Sequence, residues 1–259
     1  MTETLRTARD QPDEPITPAA SATDTIELLG LVGQLELVAF AQLAADAAAA
    51  PTTAQRIELT RFAAASVTRR DTVLARIAEL GGDPVAAVAA FDHVLDDFDE
   101  RTAPSTWWER LLRAYVGYGV ADDFCRLAAA GIDERSREVV LAVLDDASRA
   151  ELAVAELDAA GDGDGALSAR LALWGRRLVG EALGVVQRLV VQRPGLVRLL
   201  TTGAARESEV RASVADASGT THPAAASRPN LVSSEGNAQL FGELTAQHTR
   251  RMSRLGLTA

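Results

Sequence analysis

The sequence predicts an all-α protein: an antiparallel four-helix bundle with a fifth helix beside it and a C-terminal accessory helix. Three observations predict it. Five stretches of about 20–27 residues carry apolar side chains at the i, i+3, i+4 spacing of a helix face, and most of their connections are short. The period-two alternation of a half-buried strand is absent. Hydrophobic residues make up 47% of the chain but aromatics only 4%. Much of the remainder is alanine, the strongest helix former and small enough to let helices approach closely.

The elements follow in order. Residues 1–23 are rich in Thr, Pro and Asp and read as a disordered tail. Helix one runs from about Thr25 to Ala48, with a stripe of Leu29, Val32, Glu36, Ala39 and Leu43, and Pro51 breaks it. Thr52 or Thr53 caps helix two, which ends at "GGDP", where Gly81 is free to take a positive φ and Pro84 cannot continue. Short helical patterns fill residues 84–104. Thr106 and Glu109 have capping-box spacing and open helix three, which Gly131 ends. Asp133 caps helix four, expected to run unbroken to about Ala160. "GDGDG" separates it from helix five, residues 166–192. That loop lacks the later ligands and closing Glu of a calcium loop and reads as a turn. A short helix after Pro194 reaches about Leu200, residues 203–234 read as a flexible linker, and an amphipathic helix occupies about Ala238 to Leu255. The bundle domain is thus expected over 24–202 and the terminal helix within 235–259.

The formal charge is −10, and every one of the 26 basic residues is Arg. An acidic chain with a pI near 4.9 does not offer the basic face of a dedicated nucleic-acid binder. The single cysteine, Cys125, excludes an internal disulfide and fits a reducing, cytoplasmic setting; it reads as a small buried apolar residue. The N-terminus has no apolar h-region. No apolar run is expected to span a membrane, the best candidate being interrupted by Arg176, Arg177 and Glu181. Trp107, Trp108 and Trp174 read as core or interface anchors, and Arg250, Arg251 and Arg254 as a solvated basic patch.

Polar residues break the core stripes at three places. Glu36 sits mid-stripe on helix one. Ser66 and Arg69, at i and i+3, interrupt the helix-two stripe of Phe62, Val73, Ile77 and Leu80. Asp146 and Arg149, again at i and i+3, lie among Val143, Ala150 and Leu157 on helix four. Asp122 and Asp123 on helix three fall at the matching depth. One carboxylate on each of two helices, with an i, i+3 polar pair on each of the other two, is the layout of ferritin-like di-iron carboxylate bundles, where the pair is Glu-x-x-His. Arginine has no lone pair to donate and cannot take the histidine's place as a ligand. The three histidines, His93, His222 and His248, lie elsewhere and read as surface or packing residues.

Four segments carry a family resemblance: "ARIAELGGDP", "RTAPSTWWERLLRAYVGYGVADDF", "RLALWGRRLVGEAL" and "HTRRMSRLGL", with Trp174 to Glu181 the most specific. On these the chain resembles the ferritin-like proteins described as tRNA-hydroxylase-like, relatives of di-iron enzymes that hydroxylate the isopentenyl group of a modified tRNA adenosine. The resemblance spans about residues 25–200 and 238–257. It implies Glu-x-x-His where this chain has Ser66 to Arg69, and Asp-x-x-His where it has Asp146 to Arg149. Glu36 matches a first-helix ligand and Asp123 fits the third-helix acid, with Tyr118 the other position to consider.

Two readings of the arginines stand. Their stems are buried and their heads reach water, or the guanidinium groups pair carboxylates that once faced metal. The second makes Glu36, Ser66, Arg69, Asp122, Asp123, Asp146 and Arg149 a vestigial site with no resident cofactor. The chain is then a structural or protein-interaction module, with an unnamed protein partner or a second copy of itself. The alternative is a di-iron hydroxylase using two irons on Glu36, Asp123, Asp146 and Glu151, acting on a modified tRNA or a small substrate.

Overall fold

The computed structural model describes residues 21–145, 148–161, 164–217 and 234–257, all in helices, turns and short connections; among them there is no strand. The N-terminal tail and the region from 218 to 233 lie outside the described residues. Helix α1, Ala22–Ala49, starts three residues before the expected position because Ser21 and Asp24 form a capping box. Helix α2, Thr53–Glu79, starts in the same way from Thr52 and Gln55. It stops at Gly81, whose φ of +80° is a conformation that favours glycine. Two one-and-a-half-turn helices follow, α3, Pro84–Ala89, and α4, Asp96–Arg101.

The expected helix three is one continuous rod with an irregular middle. Helix α5, Trp107–Leu112, passes through a π-helical turn, Arg113–Gly117, into α6, Tyr118–Ala129. The expected helix four is two helices, α7, Glu134–Leu144, and α8, Ser148–Gly161. The break has a visible cause: Arg126 of α6 donates to the Leu144 carbonyl and pairs with Asp145, capping the end of α7 from outside. Helix α9, Gly165–Gln192, is capped by Asp164. Helix α10, Pro194–Ala217, runs well past the expected stop near Leu200, into the stretch read as linker. The segment "AARESEVRASVADA" is made of good helix formers, and Glu207 and Arg211 pair at i, i+4. Helix α11, Ser234–Arg254, closes the described chain.

The bundle is built from α1, α2, the α5–α6 rod and the α7–α8 pair. Ile26 at the start of α1 packs on Gly82 beyond the end of α2, while Leu43 and Leu59 share a cluster at the other end, so α1 and α2 are antiparallel. Helix α9 lies along the α5–α6 rod, α10 crosses α6 and α1, and α11 docks on α6, α9 and the π turn. Leu28, Leu29, Val32, Val73, Ile77, Leu112, Val116, Val120, Leu178 and Leu244 have essentially no exposed surface and form one continuous core. The stripes read from sequence are the buried faces: Leu29, Val32, Glu36 and Leu43 on α1, and Phe62, Ser66, Val73 and Ile77 on α2.

One membrane expectation needs correcting. Helix α1, not α9, is the most span-like element: its length and composition suffice to cross a bilayer, yet half of its most apolar window is buried in the bundle. Its apolarity comes from packing against neighbours on several sides, and the single Glu36 in that stretch is buried with them.

Backbone contact between α1 and α3 depends on Gly30. A Cβ there would sit 2.3 Å from the Ala87 carbonyl oxygen, which belongs to backbone and cannot swing aside. Gly30→Ala is therefore expected to lower unfolding free energy by roughly 1–3 kcal/mol in chemical denaturation, the usual cost of overpacking. An unchanged midpoint would show that α3 is loosely held.

Candidate functional site

The feature that breaks the helix-two pattern is an ion pair across the α1–α2 seam. Arg69 donates from Nε to Glu36 Oε2 at 3.0 Å, and its Nη2 lies 3.0 Å from the same oxygen. Its Nη2 also donates to Ser66 Oγ at 2.8 Å, and that hydroxyl donates in turn to the Phe62 carbonyl one turn back, at 3.2 Å. The Arg69 side chain is 12% exposed and Glu36 5%. The head group of Arg69 is thus engaged by a buried carboxylate and a buried hydroxyl, which favours the pairing reading over one in which it reaches the surface. The i, i+3 spacing matters because it puts Ser66 and Arg69 on the same face of α2, one about a turn above the other, where the guanidinium reaches both Ser66 and Glu36.

The two acids of α6 separate. Asp122 lines the same cavity as Glu36, together with Ala39, Gln42, Asp46 and Tyr118, between α1 and the α5–α6 rod. The cavity is narrow, with about 30 Å³ available to the centres of water-sized molecules. Asp123 faces away from it and binds Arg251 of α11 through two parallel hydrogen bonds, 2.7 and 2.6 Å long. Of the two acids, Asp122 is the one that shares this cavity with Glu36, and Asp123 belongs to the α11 contact. Successive helix positions differ by about 100°, so adjacent acids cannot serve the same face. Asp146 and the side chain of Arg149 lie outside the described residues. Glu151 is on α8 and exposed.

Two further ionic groups border this region, and sequence reading passed over both. Arg110 reaches across from α5 to Asp46 of α1 at 3.1 Å. Burial pushes the Asp46 carboxyl above its usual range, against the pull of Arg110. Beside it, Tyr118 donates to Asp99 Oδ1 at 2.9 Å and accepts from Arg113 Nη2 at 3.1 Å, while Arg113 also pairs with Asp99. The guanidinium of Arg113 stacks on the rings of Phe98 and Tyr118. Burial drives the Tyr118 phenol well above its ordinary value, so it stays a neutral donor. The signal available for Asp46 was its position one turn beyond Leu43 on the α1 stripe. Arg113 and Tyr118 share one face at the middle of the rod because the π turn rephases it, which no periodicity reveals.

Other candidates are placed plainly. Cys125 is fully buried, and burial raises its thiol far above the range of a reactive nucleophile. His93 is exposed on a surface pair with Asp96. His222 lies outside the described residues. Arg101 meets Glu181 at 3.4 Å, and Arg177 stacks on Trp174 instead. Among the described residues no three His, Cys, Asp or Glu side chains come together in a group that could hold a metal ion.

The geometry of the α1–α2 pair makes its loss costly in one direction only. Arg69→Ala leaves Glu36 buried and without its guanidinium, an expected loss of about 3–5 kcal/mol in equilibrium unfolding. The double change Glu36→Leu with Arg69→Met removes both charges and should return to within about 1 kcal/mol of the parent. A loss below about 0.5 kcal/mol for the single variant would place the arginine head in solvent.

A family model for "Ferritin-like domain, actinomycetes" matches residues 21–203, which takes in α1 through most of the first half of α10. The comparison with curated proteins returned no match. The matched span is well over half of the chain and contains the whole bundle with its α1–α2 ion pair, so this chain belongs to the ferritin-like domain family of actinomycetes.

Proposed function

We propose that this chain is a non-catalytic ferritin-like protein, a structural or protein-interaction module in which ion pairs stand where relatives hold two irons. The observation that carries this reading is the guanidinium of Arg69 on Glu36, with Ser66 in the place of a second carboxylate. A di-iron centre of this fold takes a Glu from each of two helices and a Glu-x-x-His pair from each of the others. Arg69 supplies a permanent cation with no lone pair, and it occupies the carboxylate that would bridge to metal. The residues present therefore do not fit a di-iron centre.

The tRNA-hydroxylase-like branch is our assignment within the family, on the segments from Ala75 to Pro84, Arg101 to Phe124 and Arg170 to Leu183. The hydroxylase alternative would draw ligands from Glu36, Asp123, Asp146 and Glu151. Asp123, held by both its oxygens to Arg251, and the exposed Glu151 speak against that set. We place the chain in the cytoplasm, since its lone cysteine is buried and unpaired. Its partner is a protein, either of another kind or a second copy, given the acidic net charge of −10.

Anaerobic reconstitution with ferrous iron followed by metal analysis is the direct test. The parent chain is expected to retain less than about half an iron per chain after desalting, and the variant Ser66→Glu, Arg69→His, Arg149→His is expected to gain iron. About two tightly held irons in the parent would overturn the proposal and favour the hydroxylase.

A further inference from the structure

Helix α11 presents an unusual group to the bundle. His248 lies on the same face as Leu244 and Met252, is 2% exposed, and neither ring nitrogen has a hydrogen-bond partner. One turn on, Arg251 lies flat over Gly119, where a Cβ would come within 2.6 Å of its Nε, and is engaged by both oxygens of Asp123. The charged and titratable groups around this contact can be named element by element. On α6 they are Asp122, Asp123 and Arg126, in the π turn Tyr115, just past the end of α7 Asp145, and on α11 itself Arg254, all lining or pairing at the cleft that Arg251 shares. Helix α9 presents Gly175 to Met252, with Leu171, Leu178 and Val179 on the same side, none of which titrates. The one charge that acts on the ring is the Arg251 guanidinium.

We propose that the docking of α11 on the bundle is proton-sensitive, the neutral imidazole of His248 holding the helix in place and its imidazolium releasing it in mild acid. A neutral ring is buried at the cost of two unpaired nitrogens but carries no charge. A protonated ring would be a buried cation one turn from Arg251, whose like charge is the one that acts on it and whose own partner is Asp123. Hydrating the imidazolium requires α11 to lift. Burial, with Arg251 adding to it, pushes the docked ring down to about 4, from an ordinary value near 6.5 in the released helix. The docked pKa is the lower one. The contribution of His248 is therefore complete above about pH 6.5 and is lost as pH falls toward about 4, a weakening on the order of 20-fold in the docking equilibrium between pH 7 and pH 5.

Hydrogen exchange on the full chain tests this, with peptides from α11 and from the α1 core followed between pH 7 and pH 5 after correction for intrinsic rates. Protection of α11 is expected to fall roughly 20-fold while α1 changes less than about threefold. In His248→Leu and His248→Gln the α11 protection should be flat across the same range. A pH-independent α11 in the parent, a fall that persists in both variants, or α1 losing protection in step would each overturn the proposal. Should both variants fail to dock at pH 7, an NMR titration of the parent ring decides the matter: a midpoint at or above about 6 overturns the proposal, and one near 4–5 upholds it.

Discussion

The pairing of Arg69 with Glu36 is the constraint on which the α1–α2 half of the bundle depends. A carboxylate at the middle of an otherwise apolar helix face costs several kcal/mol to bury unless a counter-charge meets it with good geometry. Glu36 has Leu29, Val32 and Leu43 on its own face and almost no access to water. The charge therefore has to be answered from α2, at the height set by the antiparallel register of the two helices. Arg69 answers it, and Ser66 contributes by being small: its hydroxyl accepts from the guanidinium and returns its own proton to the Phe62 carbonyl, so no polar atom of the group is stranded.

The same arrangement recurs at four further acids, while the buried Glu109 is held instead by the backbone and hydroxyl of Ser105. Asp24 meets Arg198 of α10, Asp46 meets Arg110 of α5, Asp99 meets Arg113 in the π turn, and Asp123 meets Arg251 of α11. In each case the two partners come from different elements. The planar fork of a guanidinium binds one or both carboxylate oxygens from a fixed direction, and it sheds its hydration more readily than an ammonium. A chain whose 26 basic residues are all arginine is well supplied for this role, whatever set its composition. The pairs do different local work: Asp24 ties the start of α1 to α10, whereas Asp123 ties the last helix to α6.

How much of this could be read beforehand follows from what each feature depends on. The long helices and their buried faces were legible, because apolar spacing and caps such as Thr52 and Asp133 act over one or two turns. The polar interruptions at Glu36, Ser66 and Arg69 were legible as violations of that spacing, and their mutual contact follows once α1 and α2 are antiparallel. The break at Asp145 was not, since it is imposed by Arg126 from another helix. Nor was the choice between Asp122 and Asp123, which rests on the phase that α6 inherits from the π turn at Arg113–Gly117. The continuation of α10 to Ala217 was misjudged for a different reason: an Ala-, Ser- and Arg-rich stretch serves equally well as linker or helix, and propensity alone does not separate them.

A metal pair and a set of arginines solve the same electrostatic problem with different geometry. Two cations at one point require carboxylates from four helices to converge there, and the protein must then keep those carboxylates free of other partners. Separate guanidinium groups neutralise each acid where it stands, so the acids need not converge. In this chain Glu36, Asp46, Asp99 and Asp123 each have an arginine of their own, and the described acids form no cluster. Distributed pairing also changes what the interior specifies. Each cross-helix fork fixes the register of two elements and leaves the others alone, so a change at one pair is expected to act locally. That independence is consistent with α11 being held by a contact of its own, through Asp123 and Arg251, separate from the α1–α2 seam.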